Sequence, residues 1–192
     1  MVVNIPKIVV IGASYTDMAI RCGDYPEAGQ TVDGSEFSYT VTGPGAVEAA
    51  QCALCGCEVY LISKIGGDPL GSIIRNSLTE FDVNTDHLYT AEAKNTGVIM
   101  TMVNAAGENA SCIYPGANSA LTPRNVEAAE ELIAEADVCL INGRLPQETV
   151  IAAVRCAEIQ GTATILDPAG PLDHGISASG LPIEYFNADI MI

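Results

Sequence analysis

One stretch, Thr42 to Asp68, restricts the possible folds more than any other part of the chain. It reads as a glycine turn, an alanine-rich helix, a glycine stop, a short apolar strand and a second glycine turn. Gly43 and Gly45 bracket Pro44 at the helix mouth, which predicts backbone N–H groups free to face a small polar ligand at the positive helix end. Gly56 ends the helix, and Val59 to Ile65 is an apolar run of the kind that lies inside a covered sheet. The stretch predicts a ligand-facing helix N-terminus docked on a sheet.

The flanking sequence extends this unit on both sides. Lys7 to Gly12 is a β-branched strand stopped by glycine, and Ala13 to Asp17 leaves its carboxyl end. Ligands of α/β sheets collect outside the carboxyl ends of strands, so Asp17 is a candidate site residue; a plain turn or cap is the competing reading. Met18 to Cys22 and Thr31 to Thr40 alternate loosely and predict an antiparallel flap outside the parallel core. Asp68-Pro69 predicts a helix start, with Leu70, Ile73, Ile74, Leu78 and Phe81 on one face. His87 to Tyr89 is expected as a short strand, and Val98 to Val103 with Ala110 to Tyr114 as a hairpin.

Pro115 to Asn118 reads as a tight polar turn. Beyond it come a helix from Pro123 to about Ala136, striped by Val126, Leu132 and Ile133, then a strand over 137–142, a helix over 146–160 and a strand over 162–166. That alternation argues for right-handed βαβ units and a parallel sheet. Gly12 to Asp17, Asn142 to Arg144 and Asp167 to Gly170 then form three polar strand ends on one rim. Pro171 to Phe186 reads as a loop, and Ala188 to Ile192 as the start of one more strand.

Composition removes several classes of function. The 192 residues suit one domain, and an apolar content of 48% indicates a globular chain. Eight basic against 24 acidic side chains give a net charge of −16, which opposes binding to nucleic acid or an anionic membrane. No apolar run approaches the roughly 20 residues that span a bilayer, and no signal-peptide core is present, so a cytoplasmic protein is expected. The seven cysteines include Cys52, Cys55 and Cys57, half of a zinc pattern without its second half. They read as reduced, buried small hydrophobes.

The motifs in their order resemble the N-terminal part of the ribokinase, or PfkB, family of ATP-dependent sugar and nucleoside kinases. The resemblance rests on Val10 to Asp17, Pro26 to Thr31, Gly43-Pro-Gly45-Ala46, Lys64 to Gly71, Thr96-Gly97, Gly107 to Asn109, Pro115 to Pro123 and Asp167-Pro168. It implies a three-layer α/β/α sandwich with a mainly parallel sheet and a small β lid over the substrate. Residues 1–192 would form one partial domain, with lid segments at about 18–40 and 98–114. Asp17 resembles the carboxylate that holds sugar hydroxyls, Gly43 and Gly45 the glycines that admit the sugar to the backbone, and Asn118 joins the candidate substrate residues. In the Gly-Gly-Lys-Gly-Ala-Asn type of motif, Pro44 replaces the lysine and Val47 the asparagine. Arg144 stands where ribokinases tend to carry a sugar-contacting glutamate, which implies either an altered or acidic substrate or a surface ion pair.

The same resemblance implies ATP and Mg2+ for the complete family, bound through Asn-x-x-Glu and Gly-Ala-Gly-Asp motifs. Neither motif occurs in these 192 residues, nor does a Gly-x-x-x-x-Gly-Lys-Ser/Thr phosphate loop. The expectation is therefore a family fold truncated before its nucleotide-binding half. It would carry the substrate side, bind no cofactor and be inactive alone. The alternative is a non-catalytic ligand-binding or self-assembling half domain of the same fold. A homo-oligomer through the lid or the exposed sheet border is expected in either case, because uncovered strands associate.

Overall fold

The computed structural model describes residues 5–168 and 180–192. Its elements in chain order are β1 (Lys7–Ile11), β2 (Tyr15–Cys22), β3 (Gly34–Thr42), α1 (Pro44–Leu54), β4 (Glu58–Gly66), α2 (Pro69–Glu80), β5 (Val83–Asn84), β6 (Leu88–Ala91), β7 (Val98–Val103), β8 (Asn109–Tyr114), α3 (Pro123–Glu127), α4 (Glu130–Ala134), β9 (Val138–Asn142), α5 (Gln147–Gln160), β10 (Ala163–Asp167) and β11 (Ile190–Met191). Short 3-10 turns cover Gly116–Ala120 and Ile183–Asn187.

Among the described residues, seven strands form a parallel sheet in the order β11-β10-β9-β1-β4-β5, with β6 pairing the carboxyl half of β4. Strand alternation sends alternate side chains of β1 to opposite faces. Val9 and Ile11 join Ile62, Cys139, Ile141 and Leu166 under α3, α4 and α5. Ile8 and Val10 join Val59, Leu61 and Ile65 under α1 and α2. Two apolar clusters on two faces of one sheet make the three-layer α/β/α sandwich.

Local chemistry explains the helix limits. The Asp68 carboxylate caps α2 by accepting from the Gly71 N–H at 3.0 Å, and Pro69 opens the helix. Gly56 and Gly161 close α1 and α5 in the left-handed region, with φ of 86° and 72°. At α1, Gly56 N–H donates to the Ala53 carbonyl and Cys57 N–H to the Cys52 carbonyl, so the last turn satisfies its own acceptors.

A second sheet, of four strands in the order β3-β2-β7-β8 among the described residues, stands apart from the first. β2–β3 and β7–β8 are antiparallel pairs, and β2 joins β7 in parallel. Its register separates its faces. Asp17 shares one face with Thr40 and Ile99, and Thr101 lies on that face opposite Ser111. The other face carries rows such as Tyr39-Met18-Met100-Cys112 and Phe37-Ile20-Met102-Ala110.

Several expectations change. The helix expected from Pro123 to Ala136 is two short helices, and Ala129, at the junction, is buried against the sheet. Phe81 is exposed, whereas Ile74 and Leu78 carry the buried stripe of α2. The strand expected at His87 to Tyr89 runs from Leu88 to Ala91, and Val83–Asn84 forms a strand that its length concealed. The cysteines are free, but Cys55 and Cys112 are exposed, so burial does not hold for all of them. Within the expected loop over 171–186, residues 171–179 lie outside the described residues, as do 169 and 170 of the third strand end.

Candidate active site

The strand order fixes where a ligand would sit. From β1 the chain builds outward through β4 to β5, and later returns to β1's other side to build β9, β10 and β11. The order therefore reverses between β1 and β9, and crevices at such reversals, outside the carboxyl ends, are where α/β sheets bind ligands. Ala13 to Tyr15 leave β1 there, and Asn142 to Arg144 leave β9 beside them.

Asp17 is not in the loop after β1 but within β2, on the second sheet's polar face. Its Oδ1 accepts from Thr101 Oγ1 at 2.8 Å, and Thr101 Oγ1 lies 2.9 Å from Ser111 Oγ. The hydroxyls fix one carboxylate oxygen, leaving lone pairs for O–H donors. Ile99, Asp17's partner on β7, packs against the main core, so this face looks toward the large sheet.

Gly43 and Gly45 are required by the fold itself. Gly43 has φ 96°, and a Cβ there would lie 2.7 Å from the Ala13 carbonyl oxygen. A Cβ on Gly45 would lie 2.5 Å from the Gly12 carbonyl carbon, so this pair lets α1 cross the end of β1 at backbone contact. The helix mouth is also less open than expected: Gly45 N–H donates to Ala13 O at 3.0 Å, and Val47 N–H to Gly43 O at 2.9 Å. Val47 is exposed, in a 220 Å³ groove with Val41, Leu54 and Phe81 between α1 and α2. That groove, not the strand-end crevice, is what its side chain lines.

Asn118 also departs from expectation. It is 1% exposed; its Oδ1 accepts from Ser14 N–H at 2.9 Å, and its Nδ2 donates to Ser14 O at 2.8 Å and Pro115 O at 3.0 Å. Both amide hydrogens are used on backbone carbonyls and the group is out of reach of solvent. Asn118 therefore staples the β1–β2 junction to the turn after β8 and does not present itself to a ligand.

Arg144 stands exposed at the β9 end, with its backbone N–H donating to Asn142 Oδ1 at 2.9 Å. Burial pushes the Tyr15 hydroxyl above its ordinary value, and the positive charge of Arg144 works against that rise. Gly43 approaches the same ring. Tyr15, two residues before Asp17, is buried in the core against Gly43.

Sequence reasoning missed Glu48. One turn into α1, its carboxyl is lifted to about 7, first by burial and then by the nearby Asp167 charge, with a hydrogen bond from Asn142 partly offsetting both. Asn142 Nδ2 bridges the two acids, 3.5 Å from Glu48 Oε1 and 3.2 Å from Asp167 Oδ2. Asn142 and Asp167 were legible as polar strand ends; for Glu48 the available signal was an acid on the first turns after a ligand-facing glycine bend. Among the described residues no group of three or more His, Cys, Asp or Glu side chains is arranged to hold a metal.

Comparison with known proteins agrees with this architecture. The family model described as pfkB family carbohydrate kinase matches residues 5–179. The ribokinase of Bacillus subtilis is 33% identical over 163 residues, which cover 85% of this chain and 55% of that protein. The ribokinase of Staphylococcus aureus is 32% identical over 165 residues, with 85% and 54% covered. The chain thus spans about half the length of the curated relatives it matches. Among solved structures, Arabidopsis thaliana ribokinase complexed with ribose and ATP superposes with a TM-score of 0.87 at 24% identity, over 98% of this chain and 60% of that one. Thermotoga maritima ribokinase gives a TM-score of 0.80 at 25% identity, over 96% and 58%.

Proposed function

This chain belongs to the pfkB carbohydrate kinase family, and from that membership we propose that it supplies the substrate-binding side of an ATP-dependent kinase for a sugar or related small hydroxylated compound. The observation that carries this reading is Asp17: a carboxylate on the polar face of the second sheet, steadied by Thr101, beside the strand-order reversal. An ionised carboxylate only accepts hydrogen bonds, which suits the paired O–H donors of a sugar. On this reading the second sheet is a lid whose polar face closes over the substrate. ATP is the co-substrate. Phosphoryl transfer rests on positioning and charge stabilisation, and on this reading the described residues contribute the positioning of the substrate.

The test is isothermal calorimetry over a panel of sugars and nucleosides, with an ATP-consumption assay alongside. Asp17→Ala is expected to weaken binding about 10- to 100-fold, the value of one or two charge-assisted hydrogen bonds. A ligand held equally well by the variant counts against Asp17. Sugar-dependent ATP turnover unchanged in Asp17→Ala would likewise count against Asp17.

A second reading, a self-assembling module without chemistry, draws on the other face of the same sheet. Phe37 and Met100 are 65% and 62% exposed there, with Ile20, Tyr39 and Tyr114 nearby. Contiguous exposed apolar surface of this kind marks an interaction site. The occupant proposed is a second copy of the chain, sheet face to sheet face, in both readings. A monodisperse monomer by light scattering at micromolar concentration would refute it.

A further inference from the structure

We propose that Cys52 and Cys57 form a dithiol that a low-molecular-weight disulfide closes into an intramolecular bridge, fastening the last turn of α1 to the entry of β4. The proposal is independent of the substrate reading above, which uses neither residue.

The pairing follows from how α1 ends. Gly56, in the left-handed region at φ 86°, turns the chain back on the helix. Two hydrogen bonds close that turn: Gly56 N–H donates to the Ala53 carbonyl at 2.8 Å, and Cys57 N–H to the Cys52 carbonyl at 3.2 Å. This double closure characteristically brings the side chain just past the turn against the one on the helix's last turn, a contact that apolar residues usually make. Here both positions are cysteine. Cys52 and Cys57 are each half-buried and pack on the same apolar cluster, with Ala46, Ala49 and Val59.

The backbone puts the pair within bonding reach. A hydrogen bond of 3.2 Å from Cys57 N–H to Cys52 O leaves the two Cα atoms at most about 7 Å apart even if every bond on the path were in line. The bend at the carbonyl brings them into the roughly 4.4–6.8 Å range that a disulfide spans. The third thiol of the stretch is directed elsewhere: Cys55 is exposed, and its Sγ accepts from Gln51 Nε2 at 3.5 Å. Burial pushes the Cys52 thiol above its ordinary value, and Cys57 adds to that rise more than Cys55 or Glu48 does, in keeping with Cys57 as the nearer sulfur.

The chemistry is two thiol–disulfide exchanges. The Cys57 thiolate attacks one sulfur of the external disulfide, making a mixed disulfide and releasing one thiolate. The Cys52 thiolate then attacks the Cys57 sulfur, making the Cys52–Cys57 bond and releasing the second. The protons of the two cysteines end on the two released thiolates, so one external disulfide is reduced to two thiols as the pair is oxidised. Neither cysteine is fully buried, which leaves the incoming disulfide access.

The test equilibrates the whole chain with mixtures of oxidised and reduced glutathione, blocks free thiols with one alkylating reagent, reduces, and labels the released thiols with a second. Mass spectrometry of wild type should find the second label on Cys52 and Cys57 and the first on Cys55. The bridged form should outnumber glutathione adducts at this pair by at least about 10-fold, because the neighbouring thiol is held in place. Cys55→Ser should close as wild type does, and Cys57→Ser should keep glutathione without closing. The bridged chain should melt about 4–9 °C above the reduced one, the increment of a six-residue loop closed without strain, and dithiothreitol should abolish the difference. Glutathione adducts alone, a bridge that includes Cys55, or a bridged chain that melts no higher than the reduced one would each overturn the proposal. The labelling is read on wild type, so it decides the matter even if Cys57→Ser does not fold.

Discussion

Replacing Asn118 by alanine separates a structural staple from a substrate contact. The side chain makes three hydrogen bonds, to Ser14 N–H, Ser14 O and Pro115 O. Pro115 O keeps a bond from the Asn118 N–H after the change, so two buried groups of Ser14 are orphaned. Each such group costs roughly 1–3 kcal/mol, giving about 2–6 kcal/mol in all. Against a total stability of about 5–15 kcal/mol, that loss is a large fraction. For a chain of this size each kcal/mol shifts Tm by about 2–4 °C, so a fall on the order of 10 °C is expected. Urea denaturation followed by circular dichroism gives the free energy, and differential scanning calorimetry gives Tm. Asn118→Asp keeps the acceptor for Ser14 N–H but sets a buried carboxylate oxygen against the Ser14 and Pro115 carbonyls, so it should fall at least as far as alanine. A variant that melts within about 1 °C of wild type while losing sugar affinity would refute the staple and return Asn118 to the ligand.

Gly45→Ala should destabilise by at least the roughly 1–3 kcal/mol typical of overpacking, because its Cβ would meet Gly12 backbone at 2.5 Å rather than a side chain able to move; unchanged urea stability would show that α1 can retreat from β1. Glu48 sets a pH dependence. Its folded value is about 7 against 4.5 for a free glutamate, so the folded state binds the extra proton. Its stabilising effect is full below about pH 4.5 and is lost as pH rises through about 7. Glu48→Gln should therefore gain stability relative to wild type between pH 5 and 8, read from urea midpoints; parallel pH profiles for the two proteins would refute it.

Much of the fold was legible in local chemistry. Asp68-Pro69 announced α2, Gly56 and Gly161 announced the ends of α1 and α5, and the β-branched runs announced β1, β4 and β9, because caps, left-handed glycines and strand periodicity depend on neighbours in sequence. The break between α3 and α4 was not legible, since Ala128 and Ala129 favour helix and only packing against the sheet interrupts it. Val83–Asn84 is a strand because β4 offers it two partners, not because two residues specify one.

The site divides along the same line. Asp17 and Arg144 were picked out from sequence as polar residues near strand ends, a local signal, although the structure sets Asp17 within β2. What the glycines, amides and acids of this corner contact was decided by residues far apart in the chain. Asn118 reaches back 104 residues to Ser14, Gly45 is small because Gly12 lies against it, and Glu48 holds its proton because it is buried and because Asp167 stands across Asn142. By itself the sequence determined the order of strands and helices and the polar character of their ends. The tertiary structure alone decided which of those polar groups were already satisfied by the protein, since a hydrogen bond or a buried charge belongs to two positions at once.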